Sequence, residues 1–289
     1  MTSWTVGGIR IAIHPLFWLV AIAAALTGQF FELITLFTLV MMHELGHVFA
    51  ALAVGWRVQS MELLPFGGVA KVDEWGTTRV RDEVLVALAG PFVNLVMIPV
   101  GYVFYLYGIW GEEWTEFFVF GNVWIAGFNL LPIWPLDGGK ILQALLSKVF
   151  PFYKTMYVSI IWSSFAACCL IVASFFLPFQ WNLVLISFYL ILENRLAYKQ
   201  AQYQFIRFLL KKEQENRKLP SHSKMDTYCL KANERIGEVV KRIKKGSYHC
   251  FQVLDTRQNI VASISEDAII RAFFEKKPGR TISELISIG

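Results

Sequence analysis

Residues 31–56 read FELITLFTLVMMHELGHVFAALAVGW. A bilayer-crossing helix takes about 20 mainly apolar residues, and this stretch meets that length. Within it, His43-Glu44-Leu45-Gly46-His47 fits the pattern H-E-x-x-H. Residues four apart share one helical face, so both imidazoles can hold one metal ion. Glu44, beside the first histidine, is placed to act as general base on a water at that metal. A glutamate and two histidines are costly to bury in an apolar span, and ionisable groups there mark function by default. Two nitrogens and a carboxylate, with a fourth position for water, form a zinc site of the catalytic kind. Such an ion lowers the pKa of water toward ~7 and polarises a carbonyl. Gly46 leaves a small surface where another helix or a substrate can approach.

The carboxylate has to come from elsewhere, and Asp137 is the outstanding acid of the apolar region. It follows Asn129-Leu-Leu-Pro132-Ile-Trp-Pro135-Leu and precedes Gly138-Gly139. Two prolines cannot continue a regular helix, and the glycines permit unusual backbone angles. Irregular backbone at membrane depth is tolerated where it is buried in protein or lines a wet cavity.

Hydrophobic residues make up 55% of the 289 and charged residues 17%, with the charge concentrated after Arg195. This excludes an ordinary soluble protein and predicts an α-helical polytopic membrane domain, 1–194. A basic, helical linker over 195–219 and a cytosolic domain over 220–289 follow it. Six spans are expected, at about 11–29, 31–55, 83–109, 117–136, 156–177 and 180–193. The first is read as a retained span, since no basic start or small-residue cleavage site marks a leader. Arg57, Lys71, Arg79 and Arg81 follow span two, and Lys140, Lys148 and Lys154 follow span four. The loop after span three carries Glu112, Glu113 and Glu116 instead. Basic loops thus alternate, and the positive-inside rule puts both termini in the cytoplasm. Spans two and four then run inward together, bringing Asp137 toward His43 and His47. The four cysteines show no C-x-x-C spacing, which fits unpaired thiols, and Cys229 and Cys250 suit a reducing compartment.

These motifs carry a resemblance. His43-Glu44-x-x-His47 in one span, with Asn129-x-x-Pro132 and Asp137-Gly138 in a later one, resembles the site-2 protease family of intramembrane metalloproteases (peptidase family M50). His14-Pro15, Leu64-Pro65-Phe66-Gly67-Gly68 and Ala89-Gly90-Pro91 place it closest to that family's branch from endospore-forming bacteria. The resemblance covers essentially the whole chain. It implies His43, His47 and Asp137 as ligands of one zinc ion and Glu44 as catalytic base. It implies a sigma-factor precursor as substrate, inhibitory membrane partner proteins, and a mother-cell membrane around the forespore as location. No direct nucleic-acid contact is expected.

Leu63 to Asp73 reads as a short hairpin or re-entrant piece. Gly67 and Gly68 lie in it, either on a strand edge that receives an extended substrate or in a plain connection. Asn129 is read as an oxyanion or substrate contact, with an interhelical contact as the alternative. Asn94 stays open between these roles. His14 reads as interfacial, and His222 and His249 have no partner at metal spacing. Residues 195–219 suit anionic lipid head groups of the bilayer or an acidic partner. The cytosolic domain reads α-β-β-α. Its first helix, Ile236 to Ile243, is capped at Ala232-Asn233-Glu234, and Ser265 opens the last helix. That order resembles a single CBS motif, which implies ATP sensing and homo-oligomerisation. An ion or solute transporter, or an inactive metal-stabilised scaffold, are the competing readings. The first expects repeated halves, which are not evident.

Overall fold

The computed structural model of the chain describes residues 2–6, 9–13, 15–64, 67–72, 78–176, 181–216, 225–254, 259–275 and 279–286. His14, Pro65, Phe66, Asp73 and His222, all singled out in the sequence, lie outside these residues, as does the 255–258 connection. Two compact units form: Met1–Glu74 with Arg81–Ile141, and Trp75–Val80 with Leu142–Gly289.

The first unit opens with strands β1 (Thr2–Val6) and β2 (Ile9–Ile13), paired antiparallel. Helices α1 (Pro15–Thr27) and α2 (Phe30–Ala53) follow, then β3 (Val58–Leu64), which runs parallel to β2. Parallel strands need a crossover connection, and α1 with α2 supplies it. Gly55, at φ +81°, ends α2 by letting Trp56 N–H reach back to the Ala51 carbonyl, 2.8 Å. Strand β4 (Gly67–Val72) pairs antiparallel with β3 as the expected hairpin, completing the sheet order β1-β2-β3-β4. It is therefore an edge strand, and α2 packs against it.

The sheet alters the expected first span. Ile9, Ile11 and Ile13 alternate as a strand requires. Pro15 starts α1, because proline fits the first helical position and disfavours helix in the residue before it. Residues 11–13 thus belong to β2, and α1, 13 residues long, reaches only about 20 Å.

After α3 (Val80–Leu106) and α4 (Glu112–Asn129) the chain turns through Pro132 and Pro135 into α5 (Asp137–Leu146). The span expected to run to 136 therefore stops at Asn129. Glycines sit at close helix crossings: a Cβ at Gly46 would fall 2.7 Å from the Ala89 carbonyl oxygen, and one at Gly101 2.8 Å from the Phe118 ring. Helices α2 and α3 thus approach where only hydrogen fits.

In the second unit α6 (Phe152–Phe176) and α7 (Trp181–Asn216) pack along each other. Helices α2, α3 and α6 are long and apolar enough to cross a membrane. Helix α4 carries Glu112 and Glu113 in its first turn. Helix α7 runs unbroken from its apolar start into the basic segment, so 195–216 is helix. Among the described residues, three helices meet that length and apolarity, against the six spans expected.

Beyond them, β5 (Met225–Lys231) runs parallel to β6 (Tyr248–Leu254), with β7 (Ile260–Ser265) antiparallel on its other side. The helices here are α8 (Ile236–Val240), α9 (Glu266–Phe274) and α10 (Ile282–Ile286). The order is therefore β-α-β-β-α-α, with β5 and α10 added to the expected four elements. Helix α8 stops at Val240, and its N-cap is Arg235, with no side-chain cap. Glu234 instead accepts from Lys231 N–H at 3.0 Å. Ser265 does cap α9, accepting from Ala268 N–H at 3.3 Å.

This sheet is clasped to α7 from within. Buried Lys212 donates to the Ser247 carbonyl, 2.7 Å, and lies 3.2 Å from Glu266 Oε1. Glu266 Oε2 accepts from His249 N–H at 2.8 Å and faces its Nδ1 at 2.6 Å. Phe152 and Phe208 stack with centroids 4.2 Å apart. The four cysteines are unpaired.

Candidate metal centre

Helix pitch puts His43 and His47 on one face of α2, and both are buried. Asp137 opens α5, a terminus whose exposed N–H groups favour a carboxylate. Its Oδ2 lies 3.1 Å from His43 Nε2 and 3.0 Å from His47 Nε2, and the two Nε2 atoms are 3.1 Å apart. All three candidate ligand atoms fall within 4.8 Å of one another.

The hydrogen bonds around the cluster decide which lone pairs face inward. Asn122 Nδ2 donates to the Phe118 carbonyl at 2.9 Å, which turns its Oδ1 toward Asn94. Asn94 Nδ2 donates to that Oδ1 at 3.0 Å. Asn94 Oδ1 therefore faces His43 Nδ1, 2.6 Å away, and the ring nitrogen must be the donor. His47 Nδ1 likewise donates to the Val86 carbonyl, 2.7 Å. In neutral rings with Nδ1 protonated, both Nε2 atoms are bare acceptors. Two such acceptors and a carboxylate oxygen thus meet at about hydrogen-bond distance with no hydrogen to share. That arrangement repels itself unless a cation sits among the three. The donor set suits zinc, which takes histidine nitrogen and carboxylate oxygen and leaves a position open.

Asp137 is held from behind. Lys140 Nζ donates to its Oδ1 at 3.1 Å, leaving Oδ2 for the histidines. Gly138 and Gly139 are helical, and their role is room: a Cβ at 139 would fall 2.6 Å from Trp134 N, and one at 138 would strike the Leu130 and Leu131 carbonyls. The glycines were expected to supply unusual backbone angles, but their backbone is ordinary, and close approach explains them instead. The turn 130–136 folds onto the first turn of α5 and aims Asp137 at α2.

Glu44 is buried next to His43, within electrostatic reach of His47, Lys140 and Asp137. Asn129, the last residue of α4, donates to the Ile125 carbonyl of its own helix at 2.9 Å. Gly67 and Gly68 stand on β4 opposite Leu64 and Leu63. His249 belongs to the Glu266 pair and takes no part here.

Sequence reading left Asn94 open, did not notice Asn122, and took Gly90 only as part of the Ala89-Gly90-Pro91 motif, with no role at the site. Gly90 lies under the two rings, where a Cβ would fall 2.8 Å from His43 Nε2. Four residues on, Asn94 shares that face of α3 and reaches the other side of the same ring. A wholly buried asparagine in an apolar helix was the available signal.

Known proteins resemble the chain in sequence and in fold. The family model of peptidase family M50 matches residues 31–112 and 111–173. Stage IV sporulation protein FB of Bacillus subtilis is 31% identical over 291 residues, covering 99% of both chains. A zinc metalloprotease of Methanocaldococcus jannaschii is 32% identical over 155 residues, 53% of this chain and 42% of that one. The solved site-2 protease from the same archaeon superposes with a TM-score of 0.55 at 26% identity, over 68% of this chain and 95% of that one.

Proposed function

The chain belongs to peptidase family M50 and is an intramembrane zinc metalloprotease, and from that premise we propose how its residues divide the work. His43, His47 and Asp137 hold one zinc ion, and Glu44 is the general base. The observation that carries this is the meeting of two bare Nε2 atoms and one carboxylate oxygen, each fixed from behind. Zinc bound there supplies Lewis acidity, which polarises a peptide carbonyl and acidifies water. Glu44 takes the proton from the attacking water and returns it to the departing amide nitrogen. Asn129 offers its amide to the developing oxyanion once its bond to Ile125 is exchanged.

The substrate approaches as an extended strand. Among the described residues β4 is the outer strand of its sheet, next to α2, so its outer edge offers backbone groups to a partner strand, and Gly67-Gly68 let a second backbone come close. Unwinding a helical substrate onto this edge exposes its peptide bond before cleavage. In view of the sporulation relative, the substrate is a sigma-factor precursor whose pro-segment is removed, under the restraint of inhibitory membrane partners. Alternating basic loops support six passes through the membrane with both termini in the cytoplasm, in the mother-cell membrane around the forespore. Residues 1–194 form the membrane domain, and 195–219 link it to the cytosolic domain, 220–289. The β-α-β-β-α core of that domain supports a CBS-like module that binds ATP and pairs between copies.

The test is co-expression with a candidate precursor, comparing the native chain with Glu44→Gln. Loss of clipping with zinc retained supports the assignment. Clipping that survives removes Glu44 as base.

A further inference from the structure

Helices α6 and α7 leave a groove between them, of about 310 Å³, lined by Ile160, Ile161 and Ser164 on one side and Ile191, Arg195 and Tyr198 on the other, with Asn194 buried at its base and donating to the Leu190 carbonyl at 2.8 Å. Its floor is apolar, and Ile161 and Tyr198 are exposed to whatever surrounds the helices. Its one charged residue is Arg195. Among the described residues, Arg195 makes no ion pair. Glu193, two positions earlier, points to another side of the helix and bonds to Tyr189 instead.

The level of the groove follows from its neighbours. Lys154 is the only charged residue of α6, near its first turn. Ile160 lies about 9 Å further in along that helix. Tyr153, Tyr157 and Tyr198 stack in sequence beside the groove, with centroids 4.8 and 5.4 Å apart, as tyrosines gather at a membrane interface. Arg195 therefore stands at the boundary between head groups and hydrocarbon, where its long stem lets the guanidinium reach outward. Lys199, one turn on, continues the basic face.

We propose that this groove binds a single anionic phospholipid. One acyl chain lies against Ile160, Ile161 and Ile191. The phosphate takes charge-assisted hydrogen bonds from Arg195, whose planar fork matches phosphate oxygens. An uncharged-headgroup lipid fits the same apolar floor but leaves the cation without a matching charge.

Native mass spectrometry of the full chain, released from detergent with phosphatidylglycerol or phosphatidylcholine of matched acyl length, tests this. The native chain should retain one phosphatidylglycerol in preference to phosphatidylcholine. Arg195→Gln should weaken phosphatidylglycerol binding about fivefold, the worth of one cation near an anionic surface, and leave phosphatidylcholine unchanged. Arg195→Lys should keep most of the preference, and Ile161→Trp, which fills the groove, should reduce both lipids. Equal retention of the two lipids, or an Arg195→Gln chain that binds like the native one, overturns the proposal. So does a photo-crosslinker at position 161 that captures a second copy or another helix in place of lipid.

Discussion

Replacing Gly90 by alanine sets two physical effects against each other at the metal centre. In an ordinary helix interior the change stabilises by about 1 kcal/mol, because glycine loses more backbone freedom on folding. Here the added methyl would fall 2.6 Å from His47 Cε1 and 2.8 Å from His43 Nε2. His47 Nε2 would be closer still, and contacts of this kind settle near 3.5 Å, so a ring or a helix must yield by about 1 Å or more. His47 cannot yield freely, since its Nδ1 is tied to Val86 on the same turn of α3 that carries Gly90. A displacement of about 1 Å at reacting groups costs about a hundredfold in rate. Gly90→Ala should therefore fold, give up its zinc to a chelator far more readily than the native chain, and clip precursor about a hundredfold more slowly. Zinc per chain after graded chelation and single-turnover cleavage measure the two effects. A variant with native zinc retention and cleavage within a few-fold of the native rate would refute the packing argument.

Further outcomes follow from the same contacts. Asn94→Leu removes the acceptor that fixes the His43 tautomer. It should lower zinc affinity about 10- to 100-fold, read by competition with a chelator, while Asn122→Leu does less because it acts one bond further out. Gly139→Ala should displace the turn 130–136 and cost zinc binding even though alanine suits the helix, measured as metal content of the purified chain. Glu266→Ala leaves Lys212 buried without its partner carboxylate and should destabilise the C-terminal domain by about 3–5 kcal/mol, seen as faster amide exchange in β6. Burial pushes the Glu266 carboxyl up, but the His249 hydrogen bonds and the Lys212 charge outweigh it, so its pKa stands below the ordinary 4.5. A lowered folded value means the stabilisation is complete above the ordinary carboxylate range and is lost as pH falls through the folded pKa. Protection of the β6 amides, corrected for the pH dependence of intrinsic exchange, should therefore fall as pH drops below the ordinary carboxylate range in the native chain and show no such step in Glu266→Gln.

Much of the metal centre was legible because helical pitch is a property of sequence. His43 and His47 four apart need no tertiary information to share a face, and Asp137 stood out as a carboxylate among apolar residues. The supports were not legible for the opposite reason. Asn94 and Asn122 are 28 residues apart on different helices, and their order of donation is fixed by the Phe118 carbonyl, which no spacing reveals. Gly90 and Gly139 matter through what a side chain would strike, which depends on how the helices cross. In the fold, composition alone merged Ile11 and Ile13 with α1, although Pro15 and the alternating isoleucines carried the contrary signal. The segment after 194 was legible as a helical linker because nothing between Leu192 and Asn216 breaks a helix, and α7 runs through it. Strand β5 was passed over because its flank reads as basic linker and its pairing partner, β6, lies beyond α8.

X-ray absorption at the zinc edge, on the purified full-length Glu44→Gln chain, addresses the metal centre itself. Two imidazole nitrogens and one carboxylate oxygen at about 2.0–2.2 Å are expected, with the oxygen shell reduced in Asp137→Ala. A sulfur shell, or a spectrum unchanged by Asp137→Ala, would contradict it.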